Sequence, residues 1–587
     1  MMFLKHGRLT RTFVPFVAAI VVAAGCAPSA PAPTQAPKTE PAAKTAPAGS
    51  PGAAASPGSV APVAPAAKPA AQPAVQRVVM ATVGARQENN SIRMLQQPDT
   101  WPMRPMYEYL IGLDQETGKL VPQLATEWSL EPDGQSFRFK LRRGVQFHGG
   151  NGEFTAKDVV FSWQDVTKPD SFASNAPYWR GVLKDIETVN DYEVIFHLTR
   201  PDGTFLELLS ESESGFEIRS KAHFDKAGEP TMETAPTAGT GPYQFKERSQ
   251  SQYIRYERVP YQHWRMTPDF PEFEFRFRAE SSTRYAALQA GEVQLATLPE
   301  DLLQQAQSRG FKVMSGKVPG LRTFLSMMCC YQKDPKDPSA GWEYPDSPLM
   351  DVRVRKALDK AINRDEMNKA FFANKGERMI VDHFHPSRPG WDPTWEQRFP
   401  EEYGYDPAAA RALLAEAGYG AGKPLSTTIL VQPLPFYSGA EDVADAIGGY
   451  FRAVGVSPEM LTMDSGEIRN LARQHKFTNH YEVRGTSAGL MAAMIGYHWG
   501  GGPRGSGTED PELDAAVNQI SNTLDLQQQD ALWRKVGTIT FEKHMAMPLY
   551  WIPAEIVVDP KIVGDYVFPG SISGTWTHVQ NIKAAGS

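Results

Sequence analysis

The stretch GKLVPQLATEWSLEPDGQSFRFKLRRGVQFHGG, Gly118 to Gly150, sets the reading of the chain. Within it Phe137, Phe139 and Leu141 alternate with Arg138 and Lys140, the period of a strand with one buried face. Gly134 and Gly144 suit tight turns, as do Gly239 and Gly241 further on, while Trp128, Phe139 and Phe147 suit a core. Just beyond, Thr155-x-x-Asp158 is a near-capping box followed by Val159, Val160, Trp163 and Val166, which predicts a helix.

Outward from this stretch, strand and helix patterns alternate without a repeat period, which predicts a mixed α/β architecture. RVVMATVG from Arg77 reads as a first strand, and Glu193–Leu198 and Glu272–Phe277 read as further strands. Ser438-x-x-Glu441 opens a helix carrying Val443, Ile447, Tyr450 and Val454. Asp406-Pro407 opens another, which Gly418 ends.

The order of motifs resembles the extracellular solute-binding proteins of family 5, the peptide/nickel class that feeds ABC importers. The resemblance rests on Tyr107–Leu110, the Gly118–Gly150 stretch, Thr155–Val160, Gly239-Thr240-Gly241-Pro242-Tyr243, Ala286–Val293, Asp351–Leu358 and Tyr405-Asp406-Pro407 to Ala417-Gly418. It covers about residues 78–585. It implies a periplasmic-binding-protein-like fold, two mixed α/β lobes around a cleft with a third, smaller inserted domain. The implied division is lobe I at 77–108, 233–317 and 553–587, the inserted domain at 109–232, and lobe III at 318–552. Solute would bind between lobes I and III and be enclosed by hinge closure. The implied function is solute capture and delivery to a permease by a monomer, without cofactor, resident metal or chemistry of its own. A binding protein that hands solute to a membrane receptor for sensing fits the same residues.

The N-terminus agrees with export. Lys5, Arg8 and Arg11 precede an apolar run from Phe13 to Ala24, as in a signal peptide over residues 1–25. Ala23-Ala24-Gly25-Cys26 resembles a lipobox, in which Cys26 becomes the lipid-bearing first mature residue. Residues 26–76 are almost only Ala, Pro, Ser, Gly and Thr. Such a segment buries too little apolar surface to offset its ordering entropy, so it is expected to be a disordered stalk tethering the head to a membrane, in a periplasm or other extracytoplasmic space. Removing residues 1–25 takes away three cations and no acid and moves the formal charge from −7 to −10, which argues against a nucleic-acid partner.

Two other chemistries compete. Gly485-Thr486-Ser487-Ala488-Gly489 fits the G-x-S-x-G elbow of serine hydrolases, and His148-Gly149-Gly150 looks like their oxyanion segment. His498, His544 and His578, with Asp510, Asp514, Asp525 and Asp530, supply candidate partners. A hydrolase places oxyanion loop and elbow on neighbouring strands, and more than three hundred residues separate them here, so catalysis by Ser487 ranks third. Asp382, His383 and His385 lie close together, and on a strand the two histidines, at i and i+2, would share one face as two metal ligands, but no matching third ligand has clear spacing and the adjacent Pro386 favours a surface turn. Cys329 and Cys330 follow a buried-strand pattern, Phe324–Met328, and read as two buried free thiols.

In peptide-binding relatives, a lobe III loop after a strand supplies a carboxylate for the ligand's ammonium. Here the loop falls at Tyr481–Ser487, and no Asp or Glu occurs from Val483 to Thr508. The segment offers Arg484, Thr486 and Ser487, then Tyr497, His498 and Trp499. This favours a ligand without a free amine, such as an oligosaccharide, a modified peptide or a carboxylate-bearing solute, unless another acid such as Glu88 takes over. Topology adds Glu88, Asn89 and Asn90 past the first strand, Trp101 in a linking segment, and Arg322 after the crossing into lobe III, each equally compatible with a packing or surface role.

Overall fold

Val78 and Met80 point to one side of the first strand and Val79 and Ala81 to the other, and all four are buried. A strand covered on both faces reads as an unbroken apolar run, and its two faces enter two separate apolar clusters. The structure is a computed structural model that describes residues 75–586 except 86, 97–98, 213–214, 433–439, 464, 488–490, 492–507 and 570–575. The Cys26 and stalk expectations, Ser438, and Tyr497, His498 and Trp499 lie outside the described residues.

Three sheets organise the described residues. The first strand, β1 (Arg77–Thr82), lies inside a seven-stranded sheet with β8 (Tyr243–Ser249), β9 (Tyr253–Arg258), β10 (Glu272–Phe277), β11 (Leu295–Ala296), β12 (Lys312–Ser315) and β19 (Glu555–Val558), in the order β12-β19-β11-β1-β10-β9-β8. A four-stranded antiparallel sheet contains β4 (Ala125–Leu130), β5 (Ser136–Leu141), β6 (Leu183–Asn190) and β7 (Glu193–Leu198). Its β5 shows the predicted alternation: Phe137, Phe139 and Leu141 are buried, while Arg138 reaches Glu131 at 2.8 Å and Glu193 at 2.6 Å. A six-stranded sheet runs β14 (Glu377–Arg378), β18 (Ala546–Ile552), β13 (Leu321–Met328), β17 (His480–Ser487), β15 (Leu425–Val431) and β16 (Val456–Thr462). Two short ribbons, β2 (Ile111–Leu113) with β3 (Leu120–Pro122) and β20 (Val563–Tyr566) with β21 (Ile582–Ala584), complete the strands.

The large sheets are joined by one two-stranded ribbon. The chain leaves β12 and enters β13, while the return strand leaves β18 and enters β19. Antiparallel pairing holds on both sides, Ser315 opposite Glu555 and Leu321 opposite Ile552. Between them Gly316 N–H donates to Ala554 C=O at 2.8 Å. Residues 316–320 and 553–554 are therefore where one sheet passes into the other.

Helix ends follow their signals. Thr155 and Asp158 form the reciprocal capping box of helix Ala156–Val166, and Asp406 accepts from the Ala408 and Ala409 N–H groups of helix Pro407–Glu416. The helix predicted behind Ser438 spans Ala440–Ala453. Gly134 and Gly144 hold φ of 71° and 77°, as turns require. Gly239 and Gly241 serve close approach rather than tight turns: a Cβ on Gly239 would overlap the Met106 carbonyl, and one on Gly241 would sit 2.6 Å from that of Pro105.

The cysteine expectation is corrected. Cys329 and Cys330 form a disulfide. A continuing strand would send adjacent side chains to opposite faces, but β13 ends at Met328 and Cys330 adopts φ 65°, which turns its sulfur back toward its neighbour. Both residues remain buried.

Candidate functional site

The six-stranded sheet has two unlike faces. Leu325 and Met327 of β13, Tyr481 and Val483 of β17, and Met547 and Leu549 of β18 enter the largest apolar core. The alternate positions therefore face the other way. There Arg322 stands in register with Thr486 on β17 and Trp551 on β18, and Phe324 stands opposite Arg484. One side of the sheet thus collects arginines and aromatic rings instead of aliphatics.

Arg322 is 2% exposed, with Nη1 at 3.2 Å from Asp382 Oδ1 and its guanidinium 4.7 Å from the Phe324 ring centroid. Asp382 and His383 lie in a tight turn closed by the Val381–Phe384 bridge, and His383 Nδ1 is 2.7 Å from Asp382 Oδ2. Arg388, after the same turn, stacks over Trp551 at 5.0 Å, and the His385 ring meets Trp551 edge-on at 5.5 Å. Arg484 Nε lies 3.5 Å from Glu482 Oε2.

Burial sets the electrostatics of this face. It pulls the Arg322 guanidinium down to about 9 against the opposing pull of Asp382. It pushes the Asp382 carboxyl up to about 7, with Arg322 and Arg484 opposing. Arg388 is drawn down to about 10 by desolvation, with Glu207 opposing, although its side chain is only half-buried. Burial and the neighbouring arginines hold His383 well below the ordinary imidazole range, so it is neutral.

The chain matches the family described as bacterial extracellular solute-binding proteins, family 5 Middle, over residues 119–504, about two thirds of its length. The chain belongs to this family. The family 5 protein is 29% identical over 390 residues to the dipeptide-binding protein of Escherichia coli (strain K12), covering 63% of this chain and 68% of that protein. It is 26% identical over 477 residues to heme-binding protein A of Haemophilus influenzae, covering 76% and 81%. Among solved structures, the ABC transporter-associated periplasmic binding protein DppA from Helicobacter pylori, in complex with peptide STSA, superposes with TM-score 0.66 at 21% identity over 87% of this chain and 98% of that one. The fold is that of the periplasmic binding proteins, and the family 5 protein is an extracellular solute-binding protein.

Of the residues singled out as ligand contacts, the structure brings together Arg322 and Arg484, beside Asp382, His383 and His385, which the sequence marked as metal candidates. Thr486 and Ser487 are in register with Arg322 and Leu321 through the backbone of β17. The segment read as a loop, Tyr481–Ser487, is therefore a strand, held by an antiparallel ladder to β13 and a parallel one to β15. Glu88, Asn89 and Trp101 belong to the surroundings of the seven-stranded sheet. Glu88 Oε1 accepts from Ser251 N–H at 2.7 Å, Asn89 Oδ1 accepts from Ser91 N–H at 2.8 Å, and both border a cavity of about 10 Å³ with Arg248 and Phe277. Asn90 is buried and donates to the Thr231 and Thr234 carbonyls. Trp101 packs edge-on against Phe275 at 4.8 Å.

The Asp382–His385 segment is a turn, as expected, but not a surface one, since Asp382 and His383 are 3% and 0% exposed beneath Arg322. Among the described residues no group of three or more His, Cys, Asp or Glu gathers as metal ligands. The hydrolase motifs do not share a sheet. His148 lies in a turn where its Nε2 donates to Gly241 C=O at 2.8 Å, whereas Ser487 ends β17. His544 faces Asp359 at 2.9 Å and His578 faces Glu211 at 3.5 Å. Asp510 and Asp525 cap helices, Asp514 accepts from Gln332, and Asp530 accepts from Gly390 N–H.

Sequence reasoning missed Glu482, Arg388, Phe324 and Trp551 as members of this face. For Glu482 the signal was present: Tyr481 and Val483 are apolar and alternate with Glu482 and Arg484, so the acid and the arginine share a side.

Proposed function

We propose that the family 5 protein captures a peptide-like or other small polar solute between its seven-stranded and six-stranded sheets, on the face bearing Arg322, Arg388, Arg484 and Trp551, and delivers it to a permease. The observation that carries this reading is the buried Arg322–Asp382 pair beside Trp551 on a sheet whose opposite face already holds a complete core. Buried charge contributes little net stability, so its presence favours a binding role. The proposed lobes are 77–108, 233–317 and 553–587 around the seven strands, 318–552 around the six, and 109–232 around the four, a division that the three sheets support. In this reading Glu88, Asn89 and Trp101 bind solute from the seven-stranded side, with Thr486, Ser487, Tyr497 and Trp499 as further ligand-binding residues. Cys26 carries the lipid anchor and residues 26–76 the tether. The protein acts as a monomer without chemistry of its own, with Ser487 a hydrogen-bonding rather than a nucleophilic group.

Native mass spectrometry of the full chain as purified should find a co-purified solute. Hydrogen exchange with and without that solute should show protection at 380–388 and 480–487. Protection confined to other segments would overturn this placement, and esterase turnover abolished by Ser487→Ala would overturn the non-enzymatic reading.

A further inference from the structure

Just past the end of β13, the Cys329–Cys330 bond sits where two stretches of chain are held together. In extended backbone adjacent side chains point to opposite faces, so neighbouring cysteines can bond only where the chain turns. Cys330 supplies that turn with φ 65°, a conformation that a residue with a Cβ adopts at a cost. The bond and the turn therefore require each other. Residues on both sides of the turn grip the stretch that leads into helix Pro511–Ser521. Before it, Met327 C=O accepts from Thr508 Oγ1 at 2.6 Å. At it, Cys330 C=O accepts from Glu509 N–H at 3.2 Å. After it, Gln332 N–H donates to Glu509 Oε2 at 2.7 Å, and Gln332 Nε2 donates to Asp514 Oδ2 at 3.3 Å. These bonds coexist only while Cys330 keeps its turn, because an extended continuation of β13 would carry Gln332 away from Met327.

The grip works against a desolvation cost. Glu509 is buried, and burial pushes its carboxyl and that of Asp514 upward, Asp514 to about 7. Asp514 Oδ1 is buried with no hydrogen-bond partner among the described residues. Letting this stretch go would return both carboxylates to water, so its attachment depends on whatever holds the turn. Reduction removes that hold and leaves the thiols accommodated, since Cys330 Sγ lies 3.8 Å from Leu349 C=O, an acceptor for its S–H. We propose that the Cys329–Cys330 bond is a redox-sensitive clamp, holding residues 508–514 to the end of β13 when oxidised and releasing them when reduced. The reductant is a dithiol. Its thiolate attacks one of the two sulfurs, the Cys329–Cys330 bond breaks, and its second thiol resolves the mixed disulfide. The reductant leaves as a disulfide, having given two electrons and two protons to the cysteines.

Hydrogen exchange of the full chain, before and after treatment with dithiothreitol, tests the clamp, with intact mass reporting that the bond is reduced. In the reduced chain residues 508–521 should exchange tenfold or more faster, while helix Pro407–Glu416, which makes none of these bonds, should exchange as before. The thermal midpoint should fall little, because an adjacent pair closes almost no loop. Two double variants separate the bond from the turn. Cys329→Ala with Cys330→Ala should exchange at 508–521 as the reduced chain does. Cys329→Ala with Cys330→Gly should lie between the two states, because glycine accepts a positive φ without enforcing it. A folded chain whose bond resists dithiothreitol overturns the switch. Unchanged exchange at 508–521 in the reduced chain, or acceleration spread evenly over the whole chain, overturns the clamp.

Discussion

At His148 the imidazole donates to the Gly241 carbonyl while its backbone N–H donates to that of Gly239. The residue therefore joins the turn after β5 to the segment entering β8. Burial pulls its pKa from the ordinary value near 6.5 down to about 4. A folded-state value below the unfolded one means that the unfolded chain binds more protons between those pH values. Stability is thus intact above about pH 6.5 and falls as pH drops toward 4. His148→Gln keeps a side-chain donor and removes the titration. Relative to this variant, the wild type should lose about 2–4 kcal/mol between pH 7 and pH 4 in denaturant titrations, from a shift of about 1.4 kcal/mol per pH unit. An equal pH slope in both proteins would show that the ring is not held neutral by its surroundings. The sequence marked His148 through its two glycines, but their meaning depended on the Gly239–Gly241 segment some ninety residues away. For the same reason Asp382 read as a surface residue. Only the fold places Arg322, sixty residues earlier, above it.

Among the elements, what could be read from sequence was what is local. The capping box at Thr155, the Asp406 cap and the alternation in β5 depend on neighbours within a few residues, and each forms where its pattern lies. Glycines show the boundary of that legibility, because a turn glycine and a close-approach glycine look alike in sequence. Gly134→Ala meets nothing within 4 Å but must adopt φ 71°, at about 1–2 kcal/mol. Gly239→Ala would drive a methyl into the Met106 carbonyl, an overpacking cost of about 3 kcal/mol or more. Urea midpoints should therefore fall further for Gly239→Ala. A smaller effect than that of Gly134→Ala would mean the 105–107 segment moves aside freely. The end of β13 carries a second element-scale expectation. Because Cys329 and Cys330 are bonded, iodoacetamide should label neither in the unfolded, unreduced chain and both after reduction. Labelling before reduction would restore the free-thiol reading. Being adjacent, the pair closes almost no loop, so reduction should lower stability little through chain entropy.

For the whole molecule, the proposed enclosure of a solute draws on contacts among the two large sheets and the four-stranded sheet. Near the ribbon, Lys375 bridges Glu300 and Glu555 at 3.0 and 2.9 Å, tying the six-stranded side to the seven-stranded one. A second contact is made by the turn after β7. Gly203 N–H donates to Ser521 C=O at 3.1 Å, and Gln529 Nε2 donates to Gly203 C=O at 3.1 Å. Any Cβ at Gly203 would overlap the Gln529 amide and the Thr523 carbonyl. Gly203 thus has no room for a side chain while this contact is made, although it touches none of the arginine-face residues in these bonds. Gly203→Val should therefore bind the co-purified solute about tenfold more weakly, about 1.4 kcal/mol. Its solute-bound radius of gyration by small-angle scattering should exceed that of the wild type, since valine prevents the approach. Gly420→Val, at a glycine with nothing within 4 Å, is the matched control and should bind as the wild type does. If Gly203→Val binds and compacts like the control, the turn after β7 is not part of the solute-bound state.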